Sequence, residues 1–280
     1  MKDPKTRPPP VQVAHLFPEL LDHLLAVLAD LDETQWSAPT PCPGWSVKDI
    51  AAHLLDVDLG NLSRQRDQFS ASVIREPRWN EFVRLLNEKN QRWVETARGI
   101  SSKLLGDLLR FTGGQAGDYF ASLDPFDQGP VVSWAGPDPA PNWLNIAREY
   151  TERWHHQQQI REAVGKPRLT EPRFFAPVLA TFARALPVAY ANVEAPQGTT
   201  VKVRFVGDAG GDWFLVRRRT KWDLASVAEA TPTTNVEMDQ LDAWKLFTKG
   251  LESQEARGRS RIEGEATLAS QLFSATAIIA

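Results

Sequence analysis

Apolar residues recur at three- and four-residue steps from Val11 to Leu31, at Leu16, Leu20, Leu24, Leu28 and Leu31. That is the buried stripe of an amphipathic helix. The segment Ser37 to Trp45 then carries three prolines and cannot continue it. Ser46 stands three residues before Asp49, the spacing of a capping box, just ahead of apolar Ile50, Ala51, Leu54 and Leu55. A second helix is therefore expected from about Val47 towards Phe69. A third helical region is expected from about Trp79 through Phe82, Leu85, Leu86, Trp93 and Val94. It resumes over Lys103 to Leu123, with Gly113, Gly114 and Gly117 weakening its middle. Pro and Gly fill 124–141, after which Asn142 is placed to cap a long helix over Trp143 to Val164, stopped by Gly165 and Pro167. Helices in this order, joined by loops of mixed length, make a four-helix bundle.

After Pro172 the pattern changes. One more helix is expected over about Phe174 to Tyr190. Val201, Val203 and Phe205 then alternate with polar neighbours, which is strand periodicity. A turn cluster at Asp208 to Asp212 and a second strand over Trp213 to Arg219 complete a hairpin. Further strands are expected at Trp222 to Val227 and Asn235 to Met238, with helices at Leu241 to Lys249 and Ala266 to Phe273. The fold class is thus α+β: a helical bundle over 10–168 followed by a small α+β domain over 169–280. A chain of 280 residues accommodates both with sizeable cores.

Composition narrows the function classes. Lys plus Arg number 32 against 35 Asp plus Glu, a formal net charge of −3, which gives no electrostatic attraction for nucleic acid or an anionic membrane. No apolar run approaches the roughly 18 residues of a membrane span. The opening MKDPKTRPPP lacks the apolar stretch of a signal peptide, so a cytoplasmic protein is expected. The single cysteine, Cys42, excludes an intramolecular disulfide and a multi-thiolate zinc site. Its place near a helix N-terminus would favour a thiolate, yet Pro41 and Pro43 mark it as a loop residue. Small molecules remain as partners, and a monomer and a homodimer are equally compatible with the sequence.

There are five histidines. His15 and His23 lie among leucines on the first helix and read as structural or surface residues. Glu152 and His156 stand four apart on the fourth long helix, so they share a face with β-carbons about 5–6 Å apart and can grip one metal ion. By itself a glutamate four residues before a histidine equally describes an exposed hydrogen-bonded pair. His155 points about 100° away and cannot join them. His53, about two turns into the second helix, can complete a His–Glu–His set if the two helices face each other. Three protein ligands with an open fourth position describe a catalytic zinc site, and the donor types also suit nickel, iron or manganese. Arg153 and Arg161 are candidates for a substrate carboxylate, although arginines on a bundle surface are more often simply solvated. Among ten tryptophans, Trp45, Trp143 and Trp154 lie near the site in sequence, as wall or as core packing.

The segment Pro43-Gly-Trp-Ser-Val-Lys-Asp-Ile-Ala-Ala-His53-Leu resembles the helix-two signature of the mycothiol-dependent maleylpyruvate isomerase family, within the DinB-like superfamily. Glu152-Arg-Trp-His-His156-Gln-Gln-Gln-Ile-Arg is similar to that family's second signature. The resemblance implies a DinB-like four-helix bundle binding zinc through His53, Glu152 and His156. Trp244 to Gly250 and Ile262 to Ala269 extend it to a sterol-carrier-like C-terminal domain. It implies a low-molecular-weight thiol such as mycothiol, activated by the metal for isomerisation of a maleylpyruvate-like substrate or for S-transfer to an electrophile. One departure is Gln159, where the family usually has an aspartate three residues after the metal histidine. Two other classes stay open. One is a non-catalytic lipid or small-molecule binder, with a tunnel lined by Phe174, Phe175, Leu179 and Leu246. The other is a metal-dependent hydrolase using an activated water.

Overall fold

A computed structural model of the chain describes residues 7–69 and 78–277. They fall into two compact units, one of residues 13–125 with 149–169 and one of residues 7–12 with 126–148 and 170–277. The fold class is α+β, helical towards the N-terminus and strand-containing towards the C-terminus.

In the first unit, α1 (Phe17–Ala29) follows a 3-10 turn at Ala14–Leu16, with Pro18 in its first turn. The helix opens later than the apolar pattern from Val11 implies, because proline is best placed where an amide has no helical acceptor anyway. A single turn, α2 (Glu33–Trp36), is capped by Asp32. The next helix, α3 (Val47–Asn61), starts where the capping box puts it: the Ser46 hydroxyl accepts from the Asp49 amide, and Asp49 Oδ2 accepts from the Ser46 amide at 3.0 Å. Beyond Asn61 the chain continues as a π-helical stretch, Leu62–Arg66, and leaves it at Gln68 with a positive φ of 56°. The expected run towards Phe69 is thus completed in a wider helical geometry.

The third helical region divides into α4 (Trp79–Ala97) and α5 (Ser102–Ser122), with the Ser101 hydroxyl capping the second at the Leu104 amide. Gly113, Gly114 and Gly117 do not interrupt α5. The last long helix, α6 (Asn142–Ala163), stops at Gly165, whose φ of 67° lets the Lys166 amide turn back to the Arg161 carbonyl at 2.9 Å. Leu24, Leu28, Trp36, Ile50, Leu54, Leu55, Leu105, Leu109 and Ile160 form the shared core of these helices.

In the second unit, the segment read as a loop carries a short antiparallel pair, β1 (Gln128–Val131) and β2 (Pro139–Pro141). A β-carbon at Gly129 would lie 2.5 Å from Asn142 Oδ1, so a larger residue there needs the Asn142 side chain to shift. The helix expected over Phe174 to Tyr190 is broken into α7 (Pro172–Phe182), a 3-10 turn and α8 (Leu186–Ala189), the break falling just before Pro187, which has no amide to donate. Five strands follow: β3 (Thr200–Val206), β4 (Gly211–Arg217), β5 (Trp222–Ala225), β6 (Thr234–Asp239) and β7 (Arg261–Gly264). Their order is β5-β4-β3-β6-β7, antiparallel except for the parallel β3–β6 pair. Between β6 and β7 lie α9 (Gln240–Phe247) and α10 (Ser253–Arg259), and α11 (Ala266–Ser270) follows. Val201, Val203 and Phe205 are buried as their alternation predicts. Phe247 of α9 meets Phe182 of α7 in a stacked contact at 5.7 Å and Phe205 edge-on at 5.9 Å. Phe174, Phe175, Leu179 and Leu246, considered above as tunnel lining, are all buried.

Asp49 anchors the start of α3, because both its oxygens also accept from the Arg98 guanidinium at 3.0 Å. Burial works against its ionisation, but Arg98 and the Ser46 donors outweigh it and hold the carboxyl below its ordinary value. Asp49→Ala is expected to cost about 2–3 kcal/mol in urea unfolding. The contribution of Asp49 is complete above the unfolded-chain value of about 3.9. It is lost as the pH falls through the lower folded value, so Asp49→Asn should flatten the acid limb of the stability profile.

Candidate metal centre

His53 lies on α3, and Glu152 and His156 lie one turn apart on α6. The fold brings all three together. His53 Nε2 is 3.1 Å and His156 Nε2 is 3.2 Å from the same oxygen, Glu152 Oε1. One ligand atom from each residue lies within 4.8 Å of the others. Both histidines are buried and Glu152 is partly open, so the cluster sits at the edge of the core. The two imidazoles meet edge-on at 4.8 Å, and the Trp45 ring leans on His53 at 5.2 Å. Trp45 itself is held by donating its indole N–H to Gln91 Oε1 at 3.0 Å.

Each of the three groups is shifted from its ordinary value. Burial disfavours the Glu152 carboxylate, yet hydrogen bonds from His156 and His53 outweigh it and hold the group well below its ordinary value. Burial dominates at His53 and lowers it. At His156 burial is overcome by the bond to Glu152, and the ring is raised. His155 stands outside the set, as its angle on the helix requires. It is driven down to about 3 by burial and then by its neighbour His156.

Further along the same helix pair runs a second polar layer. Arg153 Nη2 donates to Asp58 Oδ1 at 2.5 Å and Arg153 Nη1 to Glu149 Oε2 at 2.8 Å. Asn61 Nδ2 donates to the same Glu149 oxygen at 2.6 Å, and the Thr112 hydroxyl donates to Asp58 Oδ2 at 3.1 Å. The Arg153 guanidinium also lies over the rings of Phe17 and Phe120. Burial raises Asp58 despite Arg153, and its two carboxylates raise Arg153 despite burial. The view of Arg153 and Arg161 as solvated surface arginines is therefore corrected: both are largely buried, Arg161 giving its Nη1 to the Pro167 carbonyl at 2.9 Å. Nothing in the sequence marks Asp58 as the partner of Arg153, which is 95 residues away.

Trp154 is core, donating to the Leu169 carbonyl. Cys42 is half-buried and its thiol is pushed up by burial, which fits the plain loop residue. His15 is exposed and His23 half-buried. The three glutamines after His156 do separate work. Gln157 donates to the Leu20 carbonyl of α1 at 3.1 Å, and Gln158 Oε1 accepts from the Leu169 amide at 2.8 Å. Gln159 Oε1 meets His156 Nδ1 at 2.7 Å.

The donor set fits a divalent ion. Tetrahedral bonds of about 2.0–2.1 Å put neighbouring ligand atoms about 3.3–3.5 Å apart, close to the two Nε2-to-Oε1 separations of 3.1 and 3.2 Å. His53 Nδ1 is buried with no hydrogen-bond partner among the described residues. The ring's one satisfied polar atom is thus the Nε2 that faces Glu152.

Residues 17–161 match the family model described as the mycothiol maleylpyruvate isomerase N-terminal domain. The chain belongs to this family. Two solved structures share the family fold. A histidine-to-alanine mutant of the mycothiol-dependent maleylpyruvate isomerase matches with a TM-score of 0.54 at 10% identity, over 90% of this chain and 92% of that one. A structure of the mycothiol-dependent maleylpyruvate isomerase matches with a TM-score of 0.51 at 11% identity, over 83% and 86%. At such identities the likeness is one of fold. No curated protein matches by sequence. No helix among the described residues is long and apolar enough to cross a membrane.

Removing the guanidinium should expose how much the family bundle here depends on its buried charges. Arg153→Leu leaves Asp58 and Glu149 without their shared cation and is expected to cost about 3–5 kcal/mol in chemical denaturation. A cost under about 1 kcal/mol, the range of exposed pairs, would show that the pair is not held dry.

Proposed function

We propose that His53, Glu152 and His156 hold one divalent ion, zinc or nickel, and that the protein is a thiol-dependent enzyme. Its co-substrate is a low-molecular-weight thiol of the mycothiol type. Its reaction is isomerisation of a maleylpyruvate-like compound or S-transfer to another small electrophile. The observation that carries this reading is the convergence of three donor atoms from two helices on one point, in a chain of this family.

An ion bound there would supply the positive charge that lowers the pKa of a coordinated thiol. The chain's own groups do the rest. Two imidazoles and a single carboxylate give the set one negative charge, so an anionic fourth partner remains favourable beside a dication. Three protein donors leave room for that partner, as a structural four-ligand site would not. The Trp45 ring packs against the His53 ring and supports it. The Asp58–Arg153 and Asn61–Glu149 contacts fix the register of α3 against α6, which keeps His53 opposite Glu152.

Elemental analysis of the purified protein beside His156→Ala tests the ligand set. About one zinc or nickel per chain, the stoichiometry of one three-ligand site, is expected in the native protein and its loss in the variant. A native protein without metal, whose melting temperature does not respond to added zinc, would overturn the reading. Turnover of a maleylpyruvate-like cis-alkene should in addition require added thiol, whereas thiol-independent ester or amide cleavage would place the chain among metal hydrolases.

A further inference from the structure

The two imidazoles of the cluster are not held alike. His156 is gripped at both nitrogens, with Nε2 3.2 Å from Glu152 Oε1 and Nδ1 2.7 Å from Gln159 Oε1. His53 is engaged at Nε2 alone; its buried Nδ1 has no partner among the described residues, and its ring is steadied by Trp45. A neutral imidazole carries one N–H, and whichever nitrogen lacks it offers the lone pair a metal needs. An amide oxygen at Nδ1 draws the proton there and leaves Nε2, the atom facing Glu152, as the donor. Gln159 stands three residues after His156, so both side chains leave α6 on the same face and the contact is made within one turn.

We infer that Gln159 is the positioning residue of this site: it fixes the Nδ1–H tautomer of His156 and aims Nε2 at the shared metal position. The inference rests on the metal-holding reading of the His53–Glu152–His156 set. Gln159 performs this role as a neutral group. A carboxylate there would orient the ring equally well and would add a second negative charge beside Glu152, strengthening the hold on a cation. It would also weaken the attraction for an anionic fourth partner. The amide orients without that charge. Most of the preparation of the site for metal therefore lies on the α6 side, and His53 completes a position that Glu152, His156 and Gln159 already define.

Competitive zinc titration of the metal-free protein against a chromophoric chelator tests this, with Gln159→Leu and Gln159→Glu beside the wild type. Gln159→Leu is expected to bind zinc about 10–100-fold more weakly, while the melting temperature of its metal-free form stays close to that of the wild type. Gln159→Glu keeps an acceptor and should bind at least as tightly as the wild type. In the zinc-loaded wild type, nitrogen-15 spectra of the imidazoles should show the His156 proton on Nδ1. Equal zinc affinity in the wild type and Gln159→Leu would overturn the role of Gln159 and leave the ligand set standing. A His156 proton found on Nε2 would overturn it too, and that reading needs no variant to fold. If the wild type takes up no zinc, the ligand set itself falls, and the role of Gln159 falls with it.

Discussion

A carboxylate shared by imidazoles from two different helices has to be held in place by more than its own bonds. In this bundle the holding contact is the buried pair of Asp58 on α3 with Arg153 on α6. Such a pair returns little net stability, because both ions give up water to form it. Its effect is on register. A slip of α3 along α6 would part Asp58 from Arg153 and Asn61 from Glu149, so the alignment that also sets His53 against Glu152 is favoured. The Asn61–Glu149 contact repeats the constraint one turn further along α3, where the helix passes into its π-helical end.

The same seam carries an uneven charge distribution. Asp58 and Glu149 share the guanidinium of Arg153, whereas Glu152 is met by the two histidines. Without metal, the His156 ring answers part of this, since Glu152 raises its affinity for a proton. A proton and a metal ion thus compete for the same lone pair. The apolar residues around the seam, with Phe17 and Phe120 against Arg153, keep water from screening these charges.

Much of this was legible in the sequence because it depends on short-range spacing. The leucine stripe of α1, the Ser46–Asp49 box and the alternation at Val201, Val203 and Phe205 each follow from local backbone geometry. The Glu152–His156 spacing put two of the three clustered residues on one helix face, and the resemblance around His53 supplied the third. What escaped was set by tertiary partners or by weak local signals. Arg153 has the look of a solvated residue until Asp58 faces it from another helix. The edge strand β7 has one apolar residue, Ile262, among exposed neighbours, so its alternation is too short to see. The strands β1 and β2 contain three prolines between them and read as loop.

The three glutamines at 157–159 look interchangeable in the sequence, yet each faces a different neighbour: α1, the chain beyond α6, and His156. Successive residues on a helix turn through about 100°, so the identity of each amide matters less than its angular address. This makes the segment unforgiving of length rather than of composition. Adding or deleting one residue between Glu152 and Gln157 would rotate all three amides, and the histidine before them, away from their neighbours at once. Genetic variation in α6 should therefore be tolerated as substitution on its outer face and excluded as insertion or deletion anywhere along that stretch.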